Sequence, residues 1–398
     1  MNHNKELNLG SRNKTIRRQR IWGTRKSGLR YPRVALASLV FLLGGQSAMA
    51  DQATANDKAV EKPLLNPDGS LNVDAFELPF SVYASPEAKE EQAQRLKRLN
   101  DLRTMPPAAK SETEPDHLHK PWYDAQKRRY PVTMKEGTIG GIGVQVFEPM
   151  GGVKPENAHR VLINLHGGAF MYGWPFGSQI ESIPVASVGG IRVISVNYRM
   201  APKSVFPAAS EDVAAVYSSL LKTHKPSQIG IYGCSAGGIL AGQAAAWFDR
   251  KGLPQPAGLG IASGFLTLSM SGDSAYITPH FGGFFPTPDP NGPVLPYFNG
   301  TDLKDPLASP AESSALLAKF PPTLLATGTR AADMSVLVKS HMDLVQAGAD
   351  ARLFLWDGLE HCFMYNPDMP ESQQFYKLLT DFFDDAMDRA DMAVPPKK

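Results

Sequence analysis

Only two cysteines, Cys234 and Cys362, occur in the 398 residues. An exported chain stapled by disulfides would carry more, so the fold must rest on a packed core. The pair reads as two buried small apolar side chains. A bridge is the alternative, because each cysteine adjoins a residue singled out below as reactive. Long apolar runs are missing as well, and none approaches the roughly 20 residues that span a bilayer as a helix. No internal repeat is present, which removes solenoids and propellers. What remains, with 42% hydrophobic and 20% charged residues, is ordinary globular composition, neither disordered nor fibrous.

Strong net charge is also lacking: 41 bases and 39 acids sum to +2. That balance hides an asymmetry. Residues 1–50 hold ten Lys or Arg and a single acid, Glu6, which leaves 31 bases against 38 acids, or −7, in the rest. A body of that charge is a poor partner for nucleic acid, whose binding rests on neutralised phosphates. The basic stretch ends at Arg33 and is followed by the apolar run 34–43 (VALASLVFLL) and by Ser47-Ala48-Met49-Ala50. A positive region, a short apolar region and an A-x-A ending read as a secretory signal peptide cut after Ala50. The expected location is periplasmic or secreted, with no stable membrane span after cleavage.

Residues 51–129 read as a mobile lead-in followed by N-terminal lid helices. Residues 51–72 are polar and lack periodicity, whereas 86–103 (PEAKEEQAQRLKRLNDLR) reads as an amphipathic helix capped by Ser85. From residue 130 to 398 strands and helices alternate. Strands are expected at 130–134, 144–147, 160–165, 191–197, 229–232, 259–263, 323–327 and 352–356, the first two joined by a glycine-rich hairpin at 137–143. Helices are expected at 210–222, 236–251, 334–347 and 371–390. This rhythm predicts an α/β fold with a mostly parallel central sheet and helices on both faces. One stretch, 269–301, breaks it with six aromatics (Tyr276, Phe281, Phe284, Phe285, Tyr297, Phe298) among Pro and Gly, and reads as a lid insertion.

The chemistry gathers at the ends of strands. Gly233-Cys234-Ser235-Ala236-Gly237 follows one strand and opens a helix, so the serine sits on a strained elbow with its hydroxyl exposed. A serine hydroxyl needs a base. Of nine histidines, His361 fits, just past the strand at 352–356. His117-x-His119 has no further ligands at suitable spacing and makes no metal site. The small residues of His166-Gly167-Gly168-Ala169-Phe170 let the backbone N–H groups of Gly168 and Ala169 converge with that of Ala236 into an oxyanion hole. His166 is then structural.

These motifs resemble those of hormone-sensitive-lipase-type esterases of the α/β-hydrolase superfamily. The resemblance also covers Asn197-Tyr198-Arg199-Met200-Ala201-Pro202, Phe206-Pro207-Ala208-Ala209, Asp305-Pro306-Leu307-Ala308-Ser309-Pro310 and the segment 358–363, in the family's order. It implies an α/β-hydrolase sheet, a lid made from the N-terminal segment and a later insertion, hydrolysis of short acyl esters, and no cofactor. The aromatic, proline-rich lid with few charges favours uncharged esters of small to medium size. Lactones and acetylated sugars fit the same triad. A ligand receptor on this scaffold is the reading from another class, and loss of the base would signal it. The chain would act on a small-molecule ester, with no nucleic-acid partner, alone or as a homodimer. Three positions depart from the pattern: Cys234 stands where Asp is common, Ala169 replaces a third glycine, and Ala331 occupies the place of the triad acid. Asp333, two residues on, is the chosen acid, with Glu360 and Asp357 as weaker candidates. Ala169 should be tolerated, since only its N–H is needed.

Protein exported by a bacterial host is expected to begin at Asp51. Intact-mass spectrometry that finds the basic segment retained would overturn the signal-peptide reading.

Overall fold

The computed structural model describes residues 64–73, 76–104, 115–281 and 295–393. The proposed signal peptide and residues 51–63 lie outside the described residues. The chain divides into two units, 1–75 and 76–398. In the first, Leu65 and Leu71 form an isolated antiparallel bridge. The turn between them is closed by the Asp68 carboxylate, which accepts from the backbone N–H and hydroxyl of Ser70.

The second unit is built on an eight-stranded sheet in the order β1-β2-β4-β3-β5-β6-β7-β8. The strands are β1 (Val132–Ile139), β2 (Ile142–Pro149), β3 (Val161–Leu165), β4 (Arg192–Val196), β5 (Ile229–Cys234), β6 (Gly258–Ala262), β7 (Thr323–Gly328) and β8 (Ala351–Trp356). Only β1 and β2 run antiparallel to their neighbours, and β3 to β8 form one parallel set. The long helices are α1 (Pro86–Thr104), α2 (Pro115–Arg129), α3 (Phe176–Gly189), α4 (Ala208–Leu220) and α5 (Ala236–Lys251). After the short α6 (Asp273–Ile277) and α7 (Ser314–Leu317) come α8 (Met334–Gln346) and α9 (Pro370–Ala393).

Period-two alternation sends neighbouring residues of a strand to opposite faces, and each face has its own core. Val161, Ile163 and Leu165 of β3 pack with Val213 and Tyr217 of α4, Leu240 of α5 and Leu337 of α8. Leu162, between them, packs on the other face with Ile183 of α3 and Phe375, Leu379 and Phe383 of α9. A parallel sheet covered on both sides needs apolar runs rather than alternation, and β3, β5, β6 and β7 are buried throughout. The edge strand β8 is only half-buried.

Three sequence expectations change. The glycine-rich stretch 137–143 is mostly strand, paired in register from Val132↔Pro149 to Ile139↔Ile142 around a two-residue turn at Gly140 and Gly141. Helix α3 went unforeseen, because Pro175, Pro184 and Gly177 mask its periodicity. It is nonetheless buried along most of its length. Two of the six aromatics that suggested an exposed lid are core residues. Tyr297 stacks on Phe170 with centroids 4.6 Å apart, and its hydroxyl accepts from the Ala209 N–H at 2.7 Å. Phe298 meets the same Phe170 ring edge-on. Phe284 and Phe285 lie outside the described residues. No helix among the described residues is long and apolar enough to cross a membrane.

Candidate active site

Strands β3, β5, β7 and β8 end on one side of the sheet, and each hands its last residues to a loop that lines the same cavity. The elbow after β5 is the tightest. A Cβ on Gly233 would lie 2.2 Å from the Leu165 carbonyl oxygen, and one on Gly237 would lie 1.7 Å from it. Both distances are impossible for a real side chain, so only glycine lets β5 turn into α5 this close to β3. Between them Ser235 is forced to φ +58° and ψ −122°. This is a left-handed backbone that L residues rarely adopt. Its N–H donates to the Ala262 carbonyl at 2.8 Å, and the residue faces the cavity.

His361 stands in the loop after β8, and its Nδ1 lies 2.6 Å from Asp333 Oδ1. The Asp333 carboxylate is almost wholly buried (1% exposed). Its other oxygen accepts from the Thr327 hydroxyl at 2.8 Å. Since that hydrogen is committed, the Ser263 hydroxyl must donate to Thr327 Oγ1, 3.1 Å away. Ser263 Oγ in turn accepts the Cys362 N–H at 3.0 Å. The relay starts and ends beside the histidine, so the acid and the ring it faces are oriented by one chain of hydrogen bonds.

The other two carboxylates weighed for this role turn away. Glu360 is bridged by Arg95 of α1 and receives Gln92 Nε2. Asp357 receives the hydroxyls of Ser81 and Thr329. Arg330 reaches Gln92 and the Pro79 carbonyl rather than the imidazole. Ala331, at the position where the resemblance would place the acid, is buried.

Gly168 and Ala169 line the cavity, and Ala236 heads α5, where the first N–H groups have no partner within the helix. Gly168 is required as glycine: at φ +117° a Cβ would lie 2.0 Å from the Tyr172 carbonyl oxygen. Ala169 adopts φ +56°, so its methyl carries a conformational cost that a third glycine would not. His166 is structural. It is fully buried, stacks on Tyr198 at 4.4 Å and has its Nδ1 2.7 Å from the Gly167 carbonyl oxygen. Burial pushes its pKa down to about 4. The cavity encloses about 390 Å³. Its far side comes from the N-terminal helices, with Ala88, Gln92 and Arg95 of α1 and His119 and Trp122 of α2, and from Met270 and Leu295 of the segment read as a lid insertion. Burial pushes His119 to about 4, so it presents a neutral ring at neutral pH. No cluster of three His, Cys, Asp or Glu suited to a metal is found among the described residues.

The cysteines correct the sequence reading. Cys234 and Cys362 form a disulfide, with Cα atoms 6.4 Å apart across 128 residues of sequence. The two half-cystines immediately precede Ser235 and follow His361. Both are buried, which is why they looked like small apolar core residues.

A family model of the α/β-hydrolase fold matches residues 162–365. An acetyl-hydrolase of Streptomyces hygroscopicus is 30% identical over 217 residues, covering 54% of this chain and 72% of its own. The crystal structure of an esterase, E25, superposes with TM-score 0.68 at 28% identity, covering 79% of this chain and 98% of its own. A hormone-sensitive lipase from a metagenome library superposes with TM-score 0.62 at 26% identity, covering 74% and 98%. The chain belongs to the hormone-sensitive-lipase-like α/β-hydrolases. Like them, this α/β-hydrolase is a carboxylic-ester hydrolase.

In this hydrolase the bridge closes a long loop, and loop-closing bridges stabilise chiefly by restricting the unfolded chain. Replacing both cysteines by Ala is expected to lower unfolding free energy by about 2–4 kcal/mol, read from urea melts. In the native wild type both sulfurs should resist alkylation, and two thiols should label only after reduction in denaturant.

Proposed function

We propose that the chain is an exported serine esterase in which Ser235 is the nucleophile, His361 the base and Asp333 the acid, acting on uncharged esters of small to medium size. The observation that carries the reading is the 2.6 Å contact between His361 Nδ1 and Asp333 Oδ1 in a loop that lines one cavity with Ser235. Asp333 fixes the tautomer, so Nε2 is the nitrogen that takes the serine proton. Ser235 Oγ bonds to the acyl carbon as its proton passes to His361, and the carbonyl becomes an oxyanion held by the N–H groups of Gly168, Ala169 and Ala236. Collapse breaks the ester C–O bond, and His361 returns the proton to the leaving alcohol. A water then repeats the sequence on the acyl-enzyme and releases the acid.

The substrate class rests on the wall of the cavity. Trp122, Tyr172, Phe265, Met270, Leu295 and Met369 are apolar or aromatic, and Arg95, the cation among the lining residues, is already bridged to Glu360. Such a wall favours a neutral acyl group, and the similar acetyl-hydrolase points toward short ones. Export is supported by the basic and apolar pattern of residues 1–50. The disulfide agrees with it, since such bonds persist in oxidising compartments.

A p-nitrophenyl ester ladder tests catalysis and acyl length together. Ser235→Ala is expected to abolish turnover and covalent labelling by an organophosphonate while leaving the melting curve in place. Residual activity within about tenfold of wild type would sink the assignment. Asp333→Asn should cut kcat by roughly several hundredfold or more at neutral pH, because the amide stabilises the wrong tautomer and supplies no charge. Glu360→Gln should keep near-normal turnover; the reverse pattern would transfer the acid's role to Glu360.

A further inference from the structure

Helix α3 carries a buried carboxylate for which the triad has no use. Glu181 lies on the face of α3 that packs beneath the catalytic loops, and its side chain receives four donors. Oε1 accepts the Gly167 N–H at 2.8 Å and the Tyr365 hydroxyl at 2.8 Å. Oε2 accepts Asn164 Nδ2 at 3.0 Å and the Cys234 N–H at 3.2 Å. An ionised carboxylate offers about four lone-pair sites and no donor, so its capacity is fully used.

The identity of the donors gives the contact its meaning. Gly167 precedes Gly168 of the oxyanion loop, Cys234 precedes Ser235, and Tyr365 follows His361 by four residues. Asn164 belongs to β3, whose end the elbow presses against. The packing leaves no slack, since a Cβ on Gly167 would lie 2.7 Å from the Tyr365 hydroxyl. All four donors are neutral groups, so the charge is met by hydrogen bonds without a cation. Burial outweighs those bonds and pushes the carboxyl up to about 7. A group held at such a desolvation cost is not explained by packing, for which an apolar side chain would serve better.

We propose that Glu181 is a positioning residue for the hydrolysis, its carboxylate holding the oxyanion loop, the nucleophile elbow and the histidine loop at fixed separations. The proposal rests on the triad reading above. The disulfide joins two of these loops covalently, and Glu181 adds the third, which no covalent bond reaches. Its effect falls on the chemical step, because the three loops must agree on the position of the tetrahedral intermediate. The Tyr365 ring borders the cavity, and Tyr365→Phe keeps that ring while removing only the hydroxyl.

The test is Glu181→Gln. Flipped one way the amide nitrogen faces the Gly167 N–H and flipped the other way the Cys234 N–H, so one backbone donor of a loop loses its acceptor in either case, while the Tyr365 hydroxyl can reverse and accept. With sites counted by organophosphonate labelling of Ser235, kcat per site is expected to fall roughly tenfold or more while KM stays within about threefold, as losing hydrogen bonds to a charged acceptor would do. The labelling rate should fall in parallel. Tyr365→Phe removes one of the four donors and spares the fold; it should lower kcat in the same direction by about threefold or more, and it decides the matter if the Gln variant does not fold. Wild-type kcat per labelled site in Tyr365→Phe, or in a folded Glu181→Gln, would reduce Glu181 to a purely structural role and overturn the proposal, even with a lowered melting temperature. Failure of the wild type to label at Ser235 would instead remove the triad reading, and this proposal with it.

Discussion

The contact of the elbow with the Leu165 carbonyl is the constraint from which the rest of the site follows. Because Gly233 and Gly237 carry no side chain, β5 and α5 can approach β3 closely enough to force Ser235 into the left-handed region. That strain is not isolated. Among the described residues, the non-glycine positions with positive φ are Ala169, Phe170, Ser235, Ser263 and Cys362, and all five lie in loops that follow strands of the parallel set. Each such residue costs of order 1–3 kcal/mol and persists only where its surroundings over-determine it. The surroundings here are specific: a disulfide across Cys362, the Ser263–Thr327–Asp333 relay, and stacked rings around Phe170.

How much of this could be read in the sequence depended on the range of the interaction. The elbow, the strands of the parallel set and the placing of His361 at the cavity rest on local patterns, namely a glycine spacing, a β-branched run and a histidine just past a strand. Asp333 could be chosen despite Ala331 because the loop between β7 and α8 offers a single carboxylate. Helix α3 was illegible because its prolines and glycines obscure a period that burial, rather than propensity, enforces. Glu181 was lost with it: one acid among 39 acquires meaning only when four donors from distant loops are seen to surround it. The disulfide failed for a similar reason. Burial and pairing look alike in composition, and only the neighbouring Ser235 and His361 hinted at the bridge.

The cap shows the opposite balance. Helix α1 was expected at 86–103 and occupies Pro86–Thr104, with the Ser85 hydroxyl accepting the Ala88 N–H at 3.1 Å. Its attachment to the loops around the cavity could not be foreseen, and apart from the buried Ala88 it is largely polar. Arg95 bridges Glu360, Gln92 reaches the same carboxylate, Glu91 accepts from Asn366, and Ser85 is bound to Glu371. A helix with few apolar positions cannot be held by area alone, so directional contacts do much of the holding.

Three buried carboxylates near the site therefore meet three different fates, and the partner decides each. Asp333 faces the His361 imidazole, which under the proposed mechanism becomes a cation during proton transfer, where a neighbouring carboxylate would stabilise it. Glu360, the immediate neighbour of His361 in sequence, is neutralised by a permanent cation on α1 and cannot compete for the ring. Glu181 has four neutral donors and no counter-ion among them; burial pushes its carboxyl up to about 7, and backbone and side-chain dipoles meet its charge when it ionises. Under the two proposals together, separating the carboxylate that reacts from the carboxylate that holds would let the imidazole cycle between charge states while the loops around it keep their places.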